Sequence, residues 1–211
     1  MKKILTLSIL LAGTALAQFS ASISHAASAG FAEAQKYSII LKDTQAPYIG
    51  AKNGRIIGAV FVDAQCGHCK DFKESLLQVM PKFKDLRFNV LEYPIFGQVS
   101  EQIGRACIAA SDQGEGKYEK FLQALLKSGS TTLDEIKEVA ATVGLDASKL
   151  VADMNSKAVT DKMGHYINLG KSLNVEGTPY VIIGDESFPG AIPASALQNK
   201  IEEASKKNSR A

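Results

Sequence analysis

Cys66 and Cys69 are separated by two residues and stand where a strand pattern changes into a helix pattern. The preceding run, residues 56–63, is short, apolar and rich in β-branched side chains, which predicts a buried strand. From Cys69 to residue 79, apolar residues recur at helical spacing, which predicts one buried helix face. That face comprises Cys69, Phe72, Leu76 and Val79, and the charged residues Lys70, Asp71, Lys73 and Glu74 are expected on the exposed face. A strand that leads through a cysteine pair into a helix favours an α/β fold.

The spacing of the cysteine pair suits redox chemistry, because two intervening residues allow the sulfurs to meet and close a small disulfide ring. Cys66 lies at the predicted helix N-terminus, where free N–H groups and the helix dipole favour a thiolate and lower the thiol pKa. His68 would stabilise this thiolate further by charge or by a hydrogen bond. A stabilised thiolate favours the reduced form, so the disulfide becomes a strong oxidant. We therefore expect Cys66 to be the exposed nucleophile and Cys69 to be the shielded, resolving thiol.

A structural disulfide and half of a zinc site are the alternative interpretations of this pair. A zinc site of this kind needs a second pair of ligands, CxxC or HxxxH, and the sequence contains none. A structural disulfide that closes so short a loop would remove little entropy from the unfolded chain. The sequence therefore favours redox chemistry, and we expect neither a resident metal nor another cofactor.

A helical block follows the first α/β half of the chain. Residues 86–90 alternate between apolar and polar side chains and predict a strand that ends at Tyr93-Pro94. Residues 98–173 then show helical periodicity throughout. Thr132 and Glu135 have the spacing of a capping box, which predicts a helix start inside this block.

The strand pattern returns after the helical block. Residues 180–183 predict a short strand, residues 184–185 a hairpin turn, and residues 193–204 a C-terminal helix. The sequence thus predicts a single domain over residues 27–211, with its core at about 40–97 and 174–208 and an all-helical insertion at about 98–173.

Residues 1–26 predict a cleaved secretory signal peptide. Lys2 and Lys3 precede an apolar run, and Ser24-His25-Ala26 fits a cleavage site. Without this leader the chain holds 22 Lys and Arg (24 minus 2) against 22 Asp and Glu, and a neutral chain does not favour nucleic acid or an anionic membrane as partner. We expect a loose arm over residues 27–45 and a monomeric protein in the periplasm, an oxidising compartment.

Three segments resemble the DsbA-like family of secreted thiol:disulfide oxidoreductases. They are residues 61–70 around the cysteine pair, residues 92–97, and residues 176–180 with Thr178-Pro179. The predicted helical block resembles the insertion of that family, so the resemblance extends over residues 40–205. It implies an α/β, thioredoxin-like fold interrupted by an all-helical insertion, and a thiol:disulfide oxidoreductase activity.

The resemblance also implies roles for individual residues. Pro179 would be cis, would face the cysteines, and would leave the Thr178 backbone free to pair with an extended substrate, while Thr178 would tune the thiolate. Val60 stands six residues before Cys66, where many members carry a buried acid, so no carboxylate relay to Cys69 is expected. Asp63 falls on the other side of the strand by alternation. The predicted site comprises Cys66, Gly67, His68, Cys69, Thr178 and Pro179.

Three functions remain open at this point. The first is a dithiol oxidase of unfolded or folding secreted proteins that contain cysteines, re-oxidised by a membrane partner of the DsbB type. The second is an isomerase or reductase kept reduced by a partner of the DsbD type, since Gly67-His68 is the dipeptide of protein disulfide isomerase. The third is a copper-binding metal-tolerance protein with Cys66 and Cys69 as soft ligands of Cu(I).

Cys107 and His165 are the remaining candidates. Cys107 shares a helix face with Ile103 and Ala110, which predicts a small buried hydrophobic residue, and a third redox thiol is the alternative. His165 lies off the apolar face of its helix and is expected near the surface.

Overall fold

The structure is a computed structural model that describes residues 35–54 and 56–208. The predicted signal peptide, residues 1–26, and its cleavage site lie outside the described residues. The described residues from Tyr37 to Asn208 form one compact unit. Among the helices that the structure describes, none combines the length and the apolar composition needed to cross a membrane.

One mixed sheet joins the strands of the described residues in the order β1-β3-β2-β4-β5. Strands β2 and β3 are parallel and the other neighbours are antiparallel. Parallel neighbouring strands require a crossover connection, and the helix that begins between the two cysteines provides it between β2 and β3. The strands are β1 (Tyr48–Gly50), β2 (Ile56–Val62), β3 (Leu86–Glu92), β4 (Tyr180–Ile183) and β5 (Glu186–Pro189).

Two helices pack together beside this sheet: α1 (Gly67–Val79), which a 3₁₀ turn (Met80–Lys82) extends, and the C-terminal helix α7 (Ala194–Asn208). Helix α7 also contacts β2 and β4. The predicted apolar face of α1 is confirmed, because its four residues are all buried. The expectation for Lys73 is wrong, since this residue is only 6% exposed. Lys73 follows Cys69 by four positions, so it lies on the buried face rather than beside it.

The predicted all-helical insertion is confirmed as a run of consecutive helices between β3 and β4. At Thr132 the side chain accepts a hydrogen bond from the Glu135 amide, and Glu135 accepts one from the Thr132 amide, as the predicted capping box requires. The helices are α2 (Gln98–Ser111), α3 (Lys117–Ser128), α4 (Leu133–Thr142), α5 (Ala147–Met154) and α6 (Lys157–Ser172). Helices α2 and α6 contact β3, which attaches the insertion to the sheet.

Strand β3 differs from the simple alternation of its sequence, because all of its residues are buried. The Arg87 Nε donates to Asn89 Oδ1 at 2.8 Å, and Asn89 Nδ2 donates to the carbonyls of Ile40 at 3.0 Å and Asp43 at 2.9 Å. These bonds satisfy the buried polar groups and hold the preceding segment against the sheet. The expectation of a loose arm is therefore wrong for residues 37–45, of which residues 37–41 are helical.

Aromatic rings connect the strand ends around the cysteine pair. Phe61, near the end of β2, lies 5.6 Å from Tyr93 and 6.2 Å from Tyr180 between ring centroids, in edge-to-face geometry. Tyr93 follows β3 and Tyr180 begins β4. This contact brings the residues after β2 and the residues before β4 to the same edge of the sheet, which is where Cys66 and Thr178 meet.

Candidate active site

The backbone between β2 and α1 positions the two cysteines on one turn. The amide of Cys66 donates to the Asp63 carbonyl at 3.0 Å, and the amide of Cys69 donates to the Cys66 carbonyl at 3.1 Å. Cys66 is the N-cap residue of α1 and has an extended backbone, while Cys69 lies within the first turn. All three cysteines of the chain are free thiols.

The environment of Cys66 stabilises a thiolate. Its pKa falls to about 5, first because the Cys69 thiol is hydrogen-bonded to its sulfur. Burial acts in the opposite direction, and the Thr178 side chain and the backbone amides of Cys69 and His68 lower the pKa further. These amides are the free N–H groups of a helix N-terminus, as the sequence predicted. Cys66 is only 6% exposed, so the expectation of an exposed nucleophile is wrong in the reduced, unbound protein.

Cys69 shows the opposite behaviour. Its pKa is strongly raised, first by the hydrogen bond to Cys66, since its own ionisation would remove the proton of that bond. Burial raises the pKa further, while the backbone amide of Asp63 and the side chain of Thr178 lower it by smaller amounts. The two thiols therefore differ in charge at neutral pH: Cys66 is a thiolate and Cys69 a thiol.

The Thr178-Pro179 segment covers the sulfur of Cys66. Its peptide bond is cis, as the family resemblance implied. In its protonated form, Cys66 Sγ donates to the Thr178 carbonyl at 3.1 Å, and the Pro179 carbonyl accepts a hydrogen bond from the Gly190 amide at 2.8 Å. The Thr178 hydroxyl is buried and has no hydrogen-bond partner among the described residues. It is therefore available to donate to a thiolate.

The two residues between the cysteines are open to solvent. A Cβ atom added at Gly67 would meet no other atom within 4 Å. The imidazole of His68 is 79% exposed, and its Nδ1 lies 3.4 Å from Asp71 Oδ2. The contribution of His68 to the lowered pKa of Cys66 thus comes from its backbone amide.

Comparison with known proteins agrees with this geometry. The family model for the DSBA-like thioredoxin domain matches residues 59–202, which is more than half of the chain and includes both cysteines and Thr178-Pro179. The chain belongs to this family.

Individual relatives of this DSBA-like protein support the assignment. The thiol:disulfide interchange protein DsbA of Haemophilus influenzae is 26% identical over 127 residues, which cover 56% of this chain and 61% of that relative. The chain thus spans less than two thirds of that relative. A thioredoxin-like oxidoreductase from Silicibacter pomeroyi is 31% identical, with a TM-score of 0.73 over 79% of this chain and 96% of that one. The thiol-disulfide exchange protein alpha-DsbA2 from Wolbachia pipientis is 26% identical, with a TM-score of 0.75 over 83% and 97%. The predicted thioredoxin-like fold with a helical insertion is confirmed.

Asp63 and Lys73 are buried near the cysteines of this DSBA-like domain, and neither belongs to the site predicted from the sequence. Asp63 accepts hydrogen bonds from the Gln65 amide at 2.8 Å, the Ile95 amide at 2.8 Å and the Ser100 hydroxyl at 3.0 Å. It thereby fastens the loop before Cys66 to the loop after β3. Alternation along the strand predicted that Asp63 lies on the side opposite Val60. The prediction does not apply, because β2 ends at Val62 and Asp63 is outside the strand. The spacing of Lys73 from Cys69 was the signal available for that residue.

A second group of ionisable residues is buried within electrostatic reach of Asp63. The Tyr118 hydroxyl donates to Glu92 Oε1 at 2.6 Å, and burial raises the pKa of Glu92 to about 8. Burial and the adjacent Glu92 hold the pKa of Cys107 well above its ordinary value. Cys107 is fully buried, as predicted, and a buried thiol with a raised pKa is unreactive. Within residues 35–54 and 56–208, no group of three or more His, Cys, Asp or Glu is placed to hold a metal ion.

Proposed function

We propose that this protein is a periplasmic dithiol oxidase that passes the Cys66–Cys69 disulfide to cysteines of secreted proteins. The observation that carries the proposal is the opposite displacement of two thiol pKa values within one helical turn. With a pKa of about 5, Cys66 is ionised at neutral pH, so the reduced pair is favoured. A disulfide whose reduced form is stabilised tends to be passed to other thiols.

The exchange would proceed in two steps. A substrate thiolate attacks Cys66 Sγ, the Cys66–Cys69 bond breaks, and its electron pair leaves with Cys69, which takes up a proton. A second substrate thiolate then attacks the substrate sulfur of the mixed disulfide and releases Cys66 as a thiolate. The substrate is oxidised by two electrons and the cysteine pair is reduced by two. Cys66 suits the attacked position because it is the better leaving thiolate in the second step.

The residues around the pair suit an unfolded polypeptide as substrate. Thr178-Pro179 lies over Cys66, and a backbone there that pairs with an extended peptide would bring a substrate cysteine to the sulfur. Ile95 and Phe96, at 39% and 56% exposure, follow β3 in the loop that Asp63 holds beside the cysteines. Exposed apolar side chains at this place would contact apolar segments of folding chains. Gly67 and His68 leave the surface between the cysteines open to a substrate.

The sequence and the family resemblance support the proposed location and redox partner. The predicted signal peptide, residues 1–26, would export the chain to the periplasm, where disulfides persist. A chain that gives up its disulfide must be re-oxidised after each cycle. We expect a membrane oxidase of the DsbB type to do this, and we expect the protein to act as a monomer without a resident cofactor.

Two measurements test the direction of exchange. The oxidised protein should accelerate formation of native disulfides in a reduced substrate protein, and its reduction potential should lie nearer to about −120 mV than to about −270 mV. Acid trapping and thiol alkylation of cells should show the Cys66–Cys69 pair mainly oxidised. A pair found mainly reduced, together with efficient repair of a scrambled protein, would instead support an isomerase kept reduced by a partner of the DsbD type. Purification with copper that is lost on Cys66→Ser would support metal binding.

A further inference from the structure

Lys73 is a buried cation that makes no hydrogen bond. It lies one helical turn after Cys69 on the buried face of α1 and is 6% exposed. Its Nζ has no hydrogen-bond partner among the described residues. Burial of an unpaired ammonium group costs folding free energy, and an apolar side chain of similar size would fill the position without that cost. The packing of α1 therefore does not explain a lysine here.

Lys73 lines a small cavity beneath Cys69. The cavity has a volume of about 10 Å³, which is close to the space that one water molecule requires. Among its lining residues, the ionisable ones are Asp63, Cys69 and Lys73, since Val60 and the rest are apolar. The Asp63 carboxylate is already engaged with three hydrogen-bond donors. Lys73 is thus the ionisable group that shares the cavity with Cys69 and has no hydrogen-bond partner among the described residues.

The side chain of Lys73 also borders a surface groove, while its Nζ is buried. A groove between α1 and α3 is lined by Lys70, Lys73, Glu74, Leu77, Gln123, Leu126 and Lys127. Lys73 and Leu126 line both this groove and the cavity beneath Cys69. Because Leu126 carries no ionisable group, Lys73 is the ionisable residue that the cavity and the groove share.

The surroundings of Lys73 allow it to change protonation near neutral pH. Burial lowers its pKa to about 8, and the nearby groups Glu119 on α3 and Cys107 on α2 act in the opposite direction. Asp63 lines the same cavity from the end of β2, and Glu92 on β3 lies behind Cys107. The hydrogen bond to Cys66 raises the pKa of Cys69 most, and burial raises it further. Burial persists when Cys66 is held in a mixed disulfide, so a buried Cys69 thiolate is a good acceptor for the proton of an ammonium group.

The geometry points to Lys73 as the acid–base group of Cys69, which carries its proton between the buried cavity and the surface groove during disulfide exchange. This inference rests on the proposed exchange at Cys66 and Cys69. When the Cys66–Cys69 bond breaks, the electron pair leaves with Cys69 Sγ, and the Lys73 ammonium supplies the proton that makes the thiol. In the reverse step the neutral Lys73 amine takes the Cys69 proton, and the thiolate attacks Cys66 Sγ and releases the bound thiolate. The lysine then regains or loses its proton through the groove.

Rapid mixing of the reduced full-length chain with oxidised glutathione separates the steps. Acid quenching and mass spectrometry would follow the glutathione adduct of Cys66 as it forms and as Cys69 displaces it, between pH 6 and 9. In the unaltered chain, the rate of displacement should rise through an inflection near pH 8, the value to which burial brings the pKa of Lys73. Lys73→Met should remove this inflection and slow displacement by about 10²-fold at pH 8.5, as expected for loss of a general base. Formation of the adduct should keep its normal rate.

Two further variants separate proton transfer from charge and from folding. Lys84→Met removes the same charge from an exposed position that follows α1 and does not line the groove, and it should behave as the unaltered chain. Lys73→Arg keeps a cation that does not titrate in this range and should be as slow as Lys73→Met. Displacement at the normal rate in Lys73→Met, or full recovery in Lys73→Arg, would overturn the inference. If the Lys73 variants do not fold, as judged by circular dichroism, the absence of an inflection in the unaltered chain would overturn it. If no adduct forms at Cys66 at all, the proposed function fails instead.

Discussion

The two cysteines lie three residues apart on one helical turn, yet their surroundings differ on the two sides of the pair. On the open side, Cys66 meets helix N–H groups and the segment Thr178-Pro179, and its pKa falls to about 5. On the closed side, Cys69 lies above a small cavity with Asp63 and Lys73, and its pKa is raised. The same chemical group thus becomes a leaving thiolate on one side and a protonated thiol on the other.

Hydrogen-bond direction, more than burial, separates the pKa values of the two thiols. Both residues are buried, and burial raises the pKa of each. Cys66 receives hydrogen bonds from Cys69, Thr178 and two backbone amides, which stabilise its charge. Cys69 donates its proton to Cys66, so ionisation would remove a bond that the pair already has. The proton of Cys69 therefore stabilises the negative charge on the sulfur of Cys66.

The largest effect is expected when Cys66, on the open side of the pair, is replaced. Cys66→Ser should abolish exchange with a substrate disulfide or dithiol, because a hydroxyl at this position provides neither the thiolate nor a sulfur that can form the mixed disulfide. The measurement is the rate of oxidative refolding of a reduced substrate protein. Cys107→Ala is the matched control and should retain activity, since Cys107 is fully buried behind the site. Loss of activity in that control instead would show that Cys107 is a third redox thiol.

Removal of the closed-side thiol should stop the cycle at its intermediate. In Cys69→Ala, Cys66 can still attack a substrate disulfide, but no internal thiol can displace the substrate. Incubation with a disulfide-containing peptide should therefore give a mixed disulfide that accumulates to nearly one per chain, as measured by mass spectrometry without reductant. Rapid turnover by Cys69→Ala would contradict the assignment of attack to Cys66 and of resolution to Cys69.

Glu92→Gln tests how the buried carboxyl group of Glu92 affects the stability of the fold. The pKa of Glu92 is raised to about 8 by burial, so between about pH 4.5 and 8 the folded state keeps a proton that the unfolded chain releases. Stability should therefore fall as pH rises through this range. The neutral amide removes this loss and should stabilise the fold by on the order of a few kcal/mol at pH 8, with a smaller gain at pH 5.

Urea unfolding of Glu92→Gln in the Cys66→Ser background would isolate this contribution from that of the thiolate. Glu176→Gln, at an exposed position, is the matched control and should leave the unfolding midpoint almost unchanged at every pH. An equal response of the two variants to pH would contradict the assignment of the raised pKa to Glu92.

The smallest expected effect concerns one hydroxyl on the open side. Thr178→Val keeps the carbonyl that accepts from Cys66 and removes the buried hydroxyl that has no other partner among the described residues. A hydrogen bond to a charged group contributes about 1.5–3 kcal/mol, so the pKa of Cys66 should rise by about 1–2 units. Thiolate absorbance during a pH titration measures this shift, with Cys66→Ser as the baseline. An unchanged titration would show that backbone amides and Cys69 alone stabilise the thiolate.

Much of this arrangement was predictable because it depends on local spacing. The strand before Cys66, the apolar face of α1 and the capping box at Thr132 follow from side-chain periodicity and helix-end chemistry. The places of Lys73 and Asp63 were not predicted. The charge of Lys73 favours an exposed position, whereas its spacing of four residues from Cys69 places it on the buried face. For Asp63, its partners Ile95 and Ser100 are more than thirty residues away along the chain.

The placement of a cysteine pair at the start of a helix, after a buried strand, follows from the sequence alone, because periodicity and helix-end chemistry act over a few neighbouring residues. The difference between the two thiols arises from tertiary packing. Thr178 approaches Cys66 from 112 residues away, and the cavity beneath Cys69 exists only when β2, β3, α1 and α3 pack together. A pKa depends on all charges, donors and apolar surfaces within a few ångströms, whichever part of the chain supplies them. The division of labour between Cys66 and Cys69 is therefore a property of the folded protein.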